Sequence, residues 1–475
     1  MPGHWTIRTL CAALALSCGI AGPPGAAAGA DADATFLAIS DVHLDPFTGT
    51  AADGRLLAAD ISEWPRIFAD VSVPVATYGD DANVPLLDAV LADAARRTPS
   101  PDFVIFSGDA VVHRLAYRVR AVEPGAGQEQ VTDMAIKITT YLAHRLADAF
   151  PQAPVLLALG NTDAGCGDYQ VEPGGRYLAA TVPALRRLVG SDRLAPDAEA
   201  TWRAGGYYAA RHPTVDDMTV IVLNTVLWSP KYENRCGPAG SDSRAAGDAM
   251  SAWLEARLSA AASAGERVWL VYHIPAGVDA YSTAQAKPAD AACAAHTVPF
   301  WREPYAAAFA SLMQRHRAIV SAGFSGHIHR DSWRLFPASG DGAAGFEAIV
   351  PAVSPVYRDA PAFQMFTYDR SDGALQEKTT FAVTNLPQAA AGAPVVVDRL
   401  YAFTEAYART PFGATALAEV TAALQRDAAS PDRTLYDRFY GSGYGHDPET
   451  DWPVYACAPA AATAGAFDAC RCGPR

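Results

Sequence analysis

Short apolar runs bounded by polar, Gly or Pro residues recur along the first four-fifths of the chain. Runs of this length and composition predict buried β-strands. The first five are residues 35–40, 102–106, 155–159, 268–272 and 318–324. Three later runs are expected to complete a second sheet as antiparallel neighbours, and they cover residues 345–350, 363–369 and 377–383.

Stretches with apolar residues at helical spacing alternate with these runs. They cover residues 84–97, 131–150 and 251–262, and, after a break rich in Ala, Gly and Pro at 389–397, residues 396–409 and 415–428. Each such stretch predicts an amphipathic helix. Strands that alternate with helices in this way predict an α/β protein with helices packed outside a mixed sheet system.

Each of the first five predicted strands ends at a short motif that contains metal-ligand side chains. In chain order the motifs are Asp41-Val42-His43, Gly108-Asp109, Gly160-Asn161, His273, and Gly326-His327-Ile328-His329. Side chains at the carboxyl ends of neighbouring strands can converge on one point. An Asp-x-His spacing would also place both side chains on the same side of an extended segment.

Together these motifs provide two Asp, one Asn and four His, which is a ligand set for two divalent ions that share one carboxylate. Imidazole and carboxylate ligands suit Zn, Mn or Fe. Ions in such pairs lie about 3.5–4 Å apart and act on phosphoryl groups. Any one of the motifs alone has an ordinary structural explanation, whereas all five in this order favour a metal centre.

The order of the motifs resembles that of the calcineurin-like metallophosphoesterase family. The resemblance implies a double β-sheet sandwich flanked by helices, with Asp109 bridging the two metals. The implied ligands are Asp41, His43, Asp109 and His329 for the first metal, and Asp109, Asn161, His273 and His327 for the second.

Longer segments are similar to one branch of that family, the acid sphingomyelinase-like phosphodiesterases. They are residues 40–46, 107–113, 273–275, 301–305, 326–332, 351–356 and 363–369. The likeness runs from about residue 36 to about residue 384 and implies phosphodiester substrates and zinc as the metal.

One position departs from the family pattern. The family has a proton-donating His after Gly-Asn, where this chain has Thr162. A Thr hydroxyl donates hydrogen bonds but is a poor general acid. We therefore expect His113 to contact the phosphate or to donate the proton, with Asp163 orienting His113 or a water. The alternative is that His113 is a polar residue at the start of a helix.

Candidate contacts to substrate come from the same region of the chain. They are His113, Asn161 and Tyr169, of which Tyr169 lies shortly after a strand end. The segment 45–83 is long and rich in Pro, Gly and Asp, and long ordered segments near a site often shape access to it.

The amino terminus has the features of a signal peptide. Arg8 precedes an apolar run at residues 10–20, and small residues follow at 21–30. The run is too short for a membrane span, and we expect no transmembrane segment. The prediction is a cleaved leader at 1–30 and a secreted or periplasmic protein, with lipid attachment at Cys18 as the less favoured alternative.

Cysteine usage agrees with export. Two of the eight cysteines, Cys11 and Cys18, fall in the leader, which leaves six: Cys166, Cys236, Cys293, Cys457, Cys470 and Cys472. An even number in an exported chain predicts three disulfides. We expect Cys236 to pair with Cys293, and Cys457 to pair with Cys470 or Cys472.

Composition limits the classes of partner. The 475 residues are 50% hydrophobic and 19% charged, as in a globular protein, and the net charge is −14. An acidic chain is not expected to bind nucleic acid through a basic surface. The predicted organisation is a catalytic domain at residues 31–395, followed by a helical, disulfide-containing subdomain at 396–475.

The sequence therefore predicts an exported dimetal phosphodiesterase whose activated water hydrolyses a small-molecule phosphoester. Acid sphingomyelinase has a saposin-like lipid-binding domain before its catalytic domain. Only a short stretch separates the predicted leader from Asp41, so we expect no such domain here. That favours soluble nucleotide or phosphocholine-type diesters, with phospholipid left open. The alternatives are a phosphomonoesterase or polyphosphatase on the same scaffold, or a binding protein whose catalysis is impaired by Thr162.

Overall fold

Two six-stranded mixed sheets form the centre of the fold. The computed structural model describes residues 1–3, 34–49, 52–237, 244–286, 293–337, 343–427, 429–443 and 452–473. Its strands in chain order are β1 (Ala34–Ile39), β2 (Val104–Phe106), β3 (Val155–Leu157), β4 (Tyr208–Arg211), β5 (Met218–Val222), β6 (Arg267–Val271), β7 (Val320–Ser325), β8 (Ser332–Pro337), β9 (Ala343–Ile349), β10 (Ala362–Tyr368), β11 (Leu375–Val383) and β12 (Val397–Ala402). The predicted leader at 1–30 lies outside the described residues apart from its first three.

The order of the strands brings the motif-bearing ends to one edge of each sheet. The first sheet runs β12-β11-β10-β1-β2-β3 and the second β4-β5-β6-β7-β9-β8. In the first sheet β1, β2 and β3 are parallel neighbours. In the second, β6 and β7 are parallel neighbours. Parallel neighbours end at the same edge, so the motifs after these strands lie next to one another within each sheet.

The two sheets pack face to face through aromatic side chains. Phe36 on β1 lies 5.4 Å, centroid to centroid, from both Trp269 and Phe324 of the second sheet. It also stacks within its own sheet on Phe366, at 4.9 Å. This contact fixes the spacing of the sheets directly behind the strand ends that carry the motifs.

Helices cover the outer faces of both sheets. In chain order they are α1 (Ala52–Ala58), α2 (Trp64–Ala69), α3 (Val84–Arg97), α4 (Leu115–Val122), α5 (Gln128–Ala149), α6 (Arg176–Val189), α7 (Ala198–Gly205), α8 (Ala245–Ala264), α9 (Ala280–Gln285), α10 (Glu303–Arg315), α11 (Leu386–Ala390), α12 (Phe403–Tyr407), α13 (Ala414–Arg426), α14 (Pro431–Tyr440), α15 (Trp452–Cys457) and α16 (Ala464–Cys472). None of the helices within the described ranges is both long and apolar enough to cross a bilayer.

The predicted α/β class is confirmed, and two expectations about elements are wrong. The runs at 363–369 and 377–383 form strands of the first sheet, next to β1, rather than of the second. Residues 396–409 do not form one helix, because β12 precedes α12. Val397 and Tyr401 stand four residues apart, which fits a helix, but pairing with β11 makes this segment an edge strand.

The segment after residue 395 is therefore not purely helical, because its first element completes the first sheet. The described residues from Ala34 onwards form one compact unit. A separate subdomain at 396–475 stays a prediction.

The six cysteines outside the predicted leader form three disulfides. The expected Cys457–Cys470 pair is present. The expected pair of Cys236 with Cys293 is wrong, because Cys236 joins Cys166 and Cys293 joins Cys472. The Cys293–Cys472 bridge spans 179 residues, a pairing that spacing along the chain does not indicate.

Candidate metal centre

Seven side chains meet where the ends of the two sheets come together. Four of them follow strands β1, β2 and β3 of the first sheet, namely Asp41, His43, Asp109 and Asn161, and the three histidines His273, His327 and His329 follow β6 and β7 of the second. Two groups of three ligand atoms each lie within 4.8 Å of one another: Asp41, His43 and His329, and Asp109, His273 and His327. Each group takes side chains from both sheets, so the packing of the sheets builds the site.

The backbone is strained at these positions. Five of the seven residues have the positive φ angles that non-glycine residues rarely adopt: Asp41 (50°), His43 (44°), Asp109 (57°), His327 (74°) and His329 (58°). The expectation that Asp-x-His lies on an extended segment is therefore wrong, because residues 41–43 turn sharply just after β1. Residues 327–329 turn in the same way after β7. Strain of this kind clusters at functional sites, where the surrounding structure holds it in place.

Two glycines make these turns possible. Gly108 has φ 106°, a conformation that L side chains rarely adopt. A Cβ at Gly326 would lie 2.1 Å from Ser40 Oγ and 2.5 Å from Asp41 Oδ2. Because Gly326 has no Cβ, the amide of His327 can approach Asp41 and donate to both carboxylate oxygens, at 3.0 and 3.1 Å.

The first group converges on a small space at the end of β1. His43 Nε2 lies 3.1 Å from His329 Nε2. Asp41 Oδ1 is 3.4 Å from His329 Nε2 and 3.9 Å from His43 Nε2. Ser40 Oγ donates to Asp41 Oδ2 at 2.5 Å, which leaves Oδ1 as the oxygen that faces the histidines.

One atom of the second group also lies close to the first. Asp109 Oδ2 lies 3.1 Å from His273 Nε2 and 3.3 Å from His43 Nε2, so a single carboxylate oxygen stands between the two groups. Asn161 Oδ1 lies 3.2 Å from His273 Nε2. One oxygen of Asp109 thus lies within 3.3 Å of a histidine of each group.

For two of the histidines, the hydrogen bond made by Nδ1 determines that Nε2 is the nitrogen available as a ligand. His43 Nδ1 donates to the carbonyl of Val111 at 3.2 Å, and His273 Nδ1 donates to the carbonyl of Ser107 at 2.9 Å. Each ring therefore turns the lone pair of Nε2 towards carboxylate or amide oxygens. An Nε2 atom that faces carboxylate oxygens needs a proton or a metal cation between them, so the donor set fits divalent metal ions.

Burial has a large effect on the protonation of these groups. It lowers the pKa of His43 to about 4 and raises the pKa of Asp41 to about 7. For His273, burial lowers the pKa, but the Asp109 carboxylate outweighs it and raises the value to about 9. A metal ion at this position would replace that proton. The clusters and their chemistry thus support a dimetal site.

Thr162 and Asp163 hold the backbone and the Asp109 carboxylate in place. Thr162 donates to Asp109 Oδ1 from its amide at 2.8 Å, and its hydroxyl lies 3.0 Å from the same oxygen. Asp163 accepts four backbone amides, those of Asp109, Ala110, Val111 and Gly160, at 2.7–3.0 Å. Both of its oxygens are used, and among the described residues His113 contacts Asp81 rather than Asp163, so of the two expected roles of Asp163 only the orientation of a water stays a prediction.

Asp81 contacts His113 instead. Its Oδ1 lies 2.8 Å from His113 Nδ1, and its Oδ2 accepts the amide of His113 at 3.2 Å. The His113 ring stacks on His43 at 3.9 Å. Burial lowers the pKa of His113, but the hydrogen bond and charge of Asp81 outweigh it and raise the pKa. His113 is therefore oriented beside the first group, with Nε2 turned away from Asp81.

A cavity of about 620 Å³ opens beside the second group. Tyr169 lines it, with its hydroxyl 3.3 Å from His327 Nε2. On another side Tyr357 places its hydroxyl 3.5 Å from His113 Nε2. The cavity thus reaches from the candidate metal ligands past a ring of aromatic side chains.

Sequence reasoning did not identify three residues of this region. They are Asp81, Lys231 and Tyr357, and each lies in a loop outside the five motifs. The one available signal was the long segment 45–83, which contains Asp81.

Comparisons with known proteins agree with this geometry. The family model for calcineurin-like phosphoesterase matches residues 34–331. Acid sphingomyelinase-like phosphodiesterase 3b of Mus musculus is 26% identical over 85% of this chain and 81% of its own length. Sphingomyelinase phosphodiesterase D of Dictyostelium discoideum is 25% identical over 73% and 74%. Cyclic GMP-AMP phosphodiesterase SMPDL3A of Rattus norvegicus is 25% identical over 86% and 84%.

The family match covers more than half of the chain, including all seven candidate ligands. With the phosphodiesterase names of the relatives, it supports a metal-dependent phosphodiester hydrolase. The chain belongs to the calcineurin-like phosphoesterase family.

Proposed function

We propose that the protein is an exported dimetal phosphodiesterase that hydrolyses soluble phosphoesters. The observation that carries this proposal is the position of Asp109 Oδ2, which lies 3.1 Å from His273 Nε2 in one group and 3.3 Å from His43 Nε2 in the other. A carboxylate shared between two ligand groups is what a two-metal hydrolase requires.

The proposed ligands divide between two ions with Asp109 in common, and zinc is the proposed metal. The first ion would be held by Asp41, His43, Asp109 and His329, and the second by Asp109, Asn161, His273 and His327. When bound, the two ions would lower the pKa of a water and neutralise the phosphoryl oxygens. Mn²⁺ and Fe²⁺ suit the same ligands.

His113 is the proposed hydrogen-bond donor to the leaving oxygen. The 2.8 Å contact of Asp81 with Nδ1 fixes the ring and directs Nε2 away from Asp81. Thr162 does not take this role in the proposal, because its hydroxyl lies within hydrogen-bond distance of Asp109 and of the Val111 carbonyl. Thr162 and Asp163 instead position the bridging carboxylate and the strand-end turns.

The proposed substrates are nucleotide or phosphocholine-type diesters, with phospholipids as a further possibility. The cavity of about 620 Å³ supports a small molecule, because pockets of this size enclose ligands of nucleotide dimensions. The proposal that the chain is exported is supported by three disulfides, since such bonds persist in oxidising compartments.

The test compares two p-nitrophenyl esters. Purified protein loaded with zinc is assayed on bis-p-nitrophenyl phosphate and on p-nitrophenyl phosphate, then on ATP and sphingomyelin. Each assay is run with and without chelator, beside Asp109→Asn. We expect faster cleavage of the diester than of the monoester, lost in the variant and on chelation, and a higher rate on ATP than on sphingomyelin.

Two other outcomes would contradict the proposal. Preference for the monoester would make the protein a phosphomonoesterase or polyphosphatase on the same scaffold. No turnover with two metals bound would make it a binding protein, with Thr162 marking the lost activity.

A further inference from the structure

Two loops meet at the cavity beside His327. One loop carries Tyr169 and the other carries Lys231. The amide of Glu233 donates to the carbonyl of Tyr169 at 3.4 Å, and the hydroxyl of Tyr232 donates to the carbonyl of Val171 at 3.1 Å. The Cys166–Cys236 disulfide joins the same two loops. These links hold Lys231 and Tyr169 at a fixed separation.

The hydrogen bonds of this pair have a defined direction. Lys231 Nζ lies 3.4 Å from the Tyr169 hydroxyl and 5.1 Å from the centre of its ring. An ammonium group only donates, so the Tyr169 oxygen is the acceptor. The hydroxyl proton of Tyr169 must then point to a second acceptor, and the contact given to it by the protein is His327 Nε2, at 3.3 Å.

If His327 binds a metal ion, the hydroxyl proton of Tyr169 stays on its oxygen but turns from His327 towards the cavity. If His327 coordinates through Nδ1, its Nε2–H donates to Tyr169, and both lone pairs of the hydroxyl are occupied. If it coordinates through Nε2, that nitrogen no longer accepts. In either case the Tyr169 hydroxyl becomes a donor directed at whatever oxygen enters beside the ion.

The charges that face the cavity favour a negative ligand. Among the described residues, neither Lys231 nor Arg358 forms an ion pair, although the charge of Lys231 acts on the nearby Asp168 carboxylate, and both cations line the cavity. Arg330 is paired with Asp359. The acidic residue of the cavity lining, Asp279, is engaged as a helix cap, accepting the amide of Ser282 at 2.8 Å.

The remaining cavity surface includes aromatic side chains such as Phe300, Tyr281 and Tyr357. Aromatic faces alone would suit either a nucleobase or a quaternary ammonium group. The positive side chains of the lining separate these cases, because Lys231 would repel choline and would attract a second phosphate.

Building on the proposed function, we propose that Tyr169 and Lys231 form a clamp for substrates with two or more phosphoryl groups. Tyr169 donates to an oxygen of the phosphoryl group at the metal centre. Lys231 binds the next phosphoryl group. The preferred ligands are thus nucleoside di- or triphosphate-like molecules, and phosphocholine esters are disfavoured.

The test is calorimetric binding of three ligands to the full, zinc-loaded chain. AMP, ADP and phosphocholine are titrated into wild type, Lys231→Met, Lys231→Arg and Tyr169→Phe, with no free metal in solution. In wild type, ADP should bind about tenfold more tightly than AMP, or about 1.4 kcal/mol, and phosphocholine most weakly. Lys231→Met should reduce the preference for ADP over AMP to less than about threefold, while Lys231→Arg keeps most of it.

The two roles in the clamp have different signatures. Tyr169→Phe should weaken the binding of AMP and of ADP by the same factor, because the Tyr169 hydroxyl contacts the phosphoryl group at the metal centre, which both ligands have. An unchanged ADP-to-AMP ratio in Lys231→Met, or phosphocholine binding as tight as that of ADP in wild type, would overturn the proposal. Activity on bis-p-nitrophenyl phosphate is measured in the same samples. It reports the proposed function separately, because that substrate has no second phosphoryl group.

Discussion

At the scale of single residues, the hydrogen bonds of Thr162 indicate whether its role is structural or chemical. The Thr162 hydroxyl lies 3.0 Å from Asp109 Oδ1 and 2.8 Å from the carbonyl of Val111, so it faces the protein interior. These contacts are those of a group that positions the Asp109 carboxylate, and they support the proposal that Thr162 does not protonate the leaving group.

We therefore expect Thr162→Val to remain active. Loss of the hydroxyl should lower the free energy of unfolding by about 1 kcal/mol and reduce kcat on bis-p-nitrophenyl phosphate by less than about tenfold. Chemical denaturation and steady-state kinetics measure the two effects, with Thr162→Ser as the matched control. A drop in kcat of about a hundredfold or more would assign proton donation to Thr162.

Asp81 should affect the reaction through His113. Asp81→Asn keeps the size of the side chain but removes the charge beside Nδ1, and so weakens Nε2 as a donor. We expect kcat to fall about 10–100-fold for a diester with a poor alcohol leaving group, and much less for p-nitrophenol, which leaves without help. The comparison of the two leaving groups is the measurement.

The matched control for Asp81 is Ser354→Ala, which removes a 3.2 Å hydrogen bond to Asp81 Oδ1 but leaves the contact with His113. It should change both rates little. Equal losses on both leaving groups in Asp81→Asn would mean that Asp81 only stabilises the fold.

Which residues of this site could be predicted depends on whether they belong to a motif. Asp41, Asp109 and His327 lie in short motifs directly after strands, and the structure brings them together. Asp81 is 32 residues away from His113, and Lys231 is 62 residues away from Tyr169. No local pattern relates such partners, because only the folded loops place them side by side.

At the scale of elements, a buried charged cluster ties the turn after β7 to the first sheet. Asp331 lies two residues after His329, and Lys378 Nζ on β11 contacts its Oδ1 at 2.6 Å. Its Oδ2 accepts from Thr380 at 2.7 Å and from Tyr401, on β12, at 2.8 Å. The turn with two candidate ligands is thus anchored to the neighbouring sheet.

Breaking this cluster should be costly. Asp331→Asn leaves the Lys378 ammonium buried without a counter-charge, and we expect the free energy of unfolding to fall by about 3–5 kcal/mol. Asp331→Asn with Lys378→Met removes both charges and should cost less than the single change. Chemical denaturation measures both.

The control is an exposed pair on the surface. Glu255→Gln disrupts the ion pair of Glu255 with Arg315, in which both side chains are 54% exposed, and should cost no more than about 1 kcal/mol. If Asp331→Asn were as mild as this control, the cluster would not hold the turn.

Elements with strong local signals could be predicted, and their partners in the sheets could not. The helix expected at 84–97 has those bounds in the structure as α3, because Asn83 caps it and its apolar face is regular. Residues 363–369 form the expected strand, β10, but pair with β1 rather than within the second sheet. An apolar run specifies a strand, whereas its neighbour depends on contacts far along the chain.

At the scale of the whole molecule, a buried imidazole packs against aromatic side chains of both sheets. His212 follows β4, and its ring lies 5.0 Å from Phe103 of the segment leading into the first sheet and 5.0 Å from Trp269 of the second. Its Nδ1 accepts amides from Thr214 at 3.3 Å and Val215 at 3.0 Å. Its Nε2 is buried and has no partner within the described residues.

This ring should make the packing of the two sheets sensitive to acid. Burial lowers the pKa of His212 from 6.5 to about 4, although the Asp102 carboxylate acts in the opposite direction. Above pH 6.5 the ring is neutral in both the folded and unfolded chain, and the free energy of unfolding does not depend on it. Between pH 6.5 and 4 mainly the unfolded chain takes up the proton. The free energy of unfolding therefore decreases as the pH is lowered, by about 2 kcal/mol at pH 5.

The corresponding measurement is chemical denaturation of wild type and His212→Asn at pH 7.5 and pH 5.0. Asn keeps an acceptor for the two amides and does not titrate. The variant should be less stable than wild type at pH 7.5, because it loses ring contacts, but its change in stability between the two pH values should be smaller by about 2 kcal/mol. Other groups titrate equally in both proteins, so they cancel in this comparison. The same pH dependence in both proteins would show that His212 takes up its proton within the folded sandwich, and that the space between the sheets admits a charge.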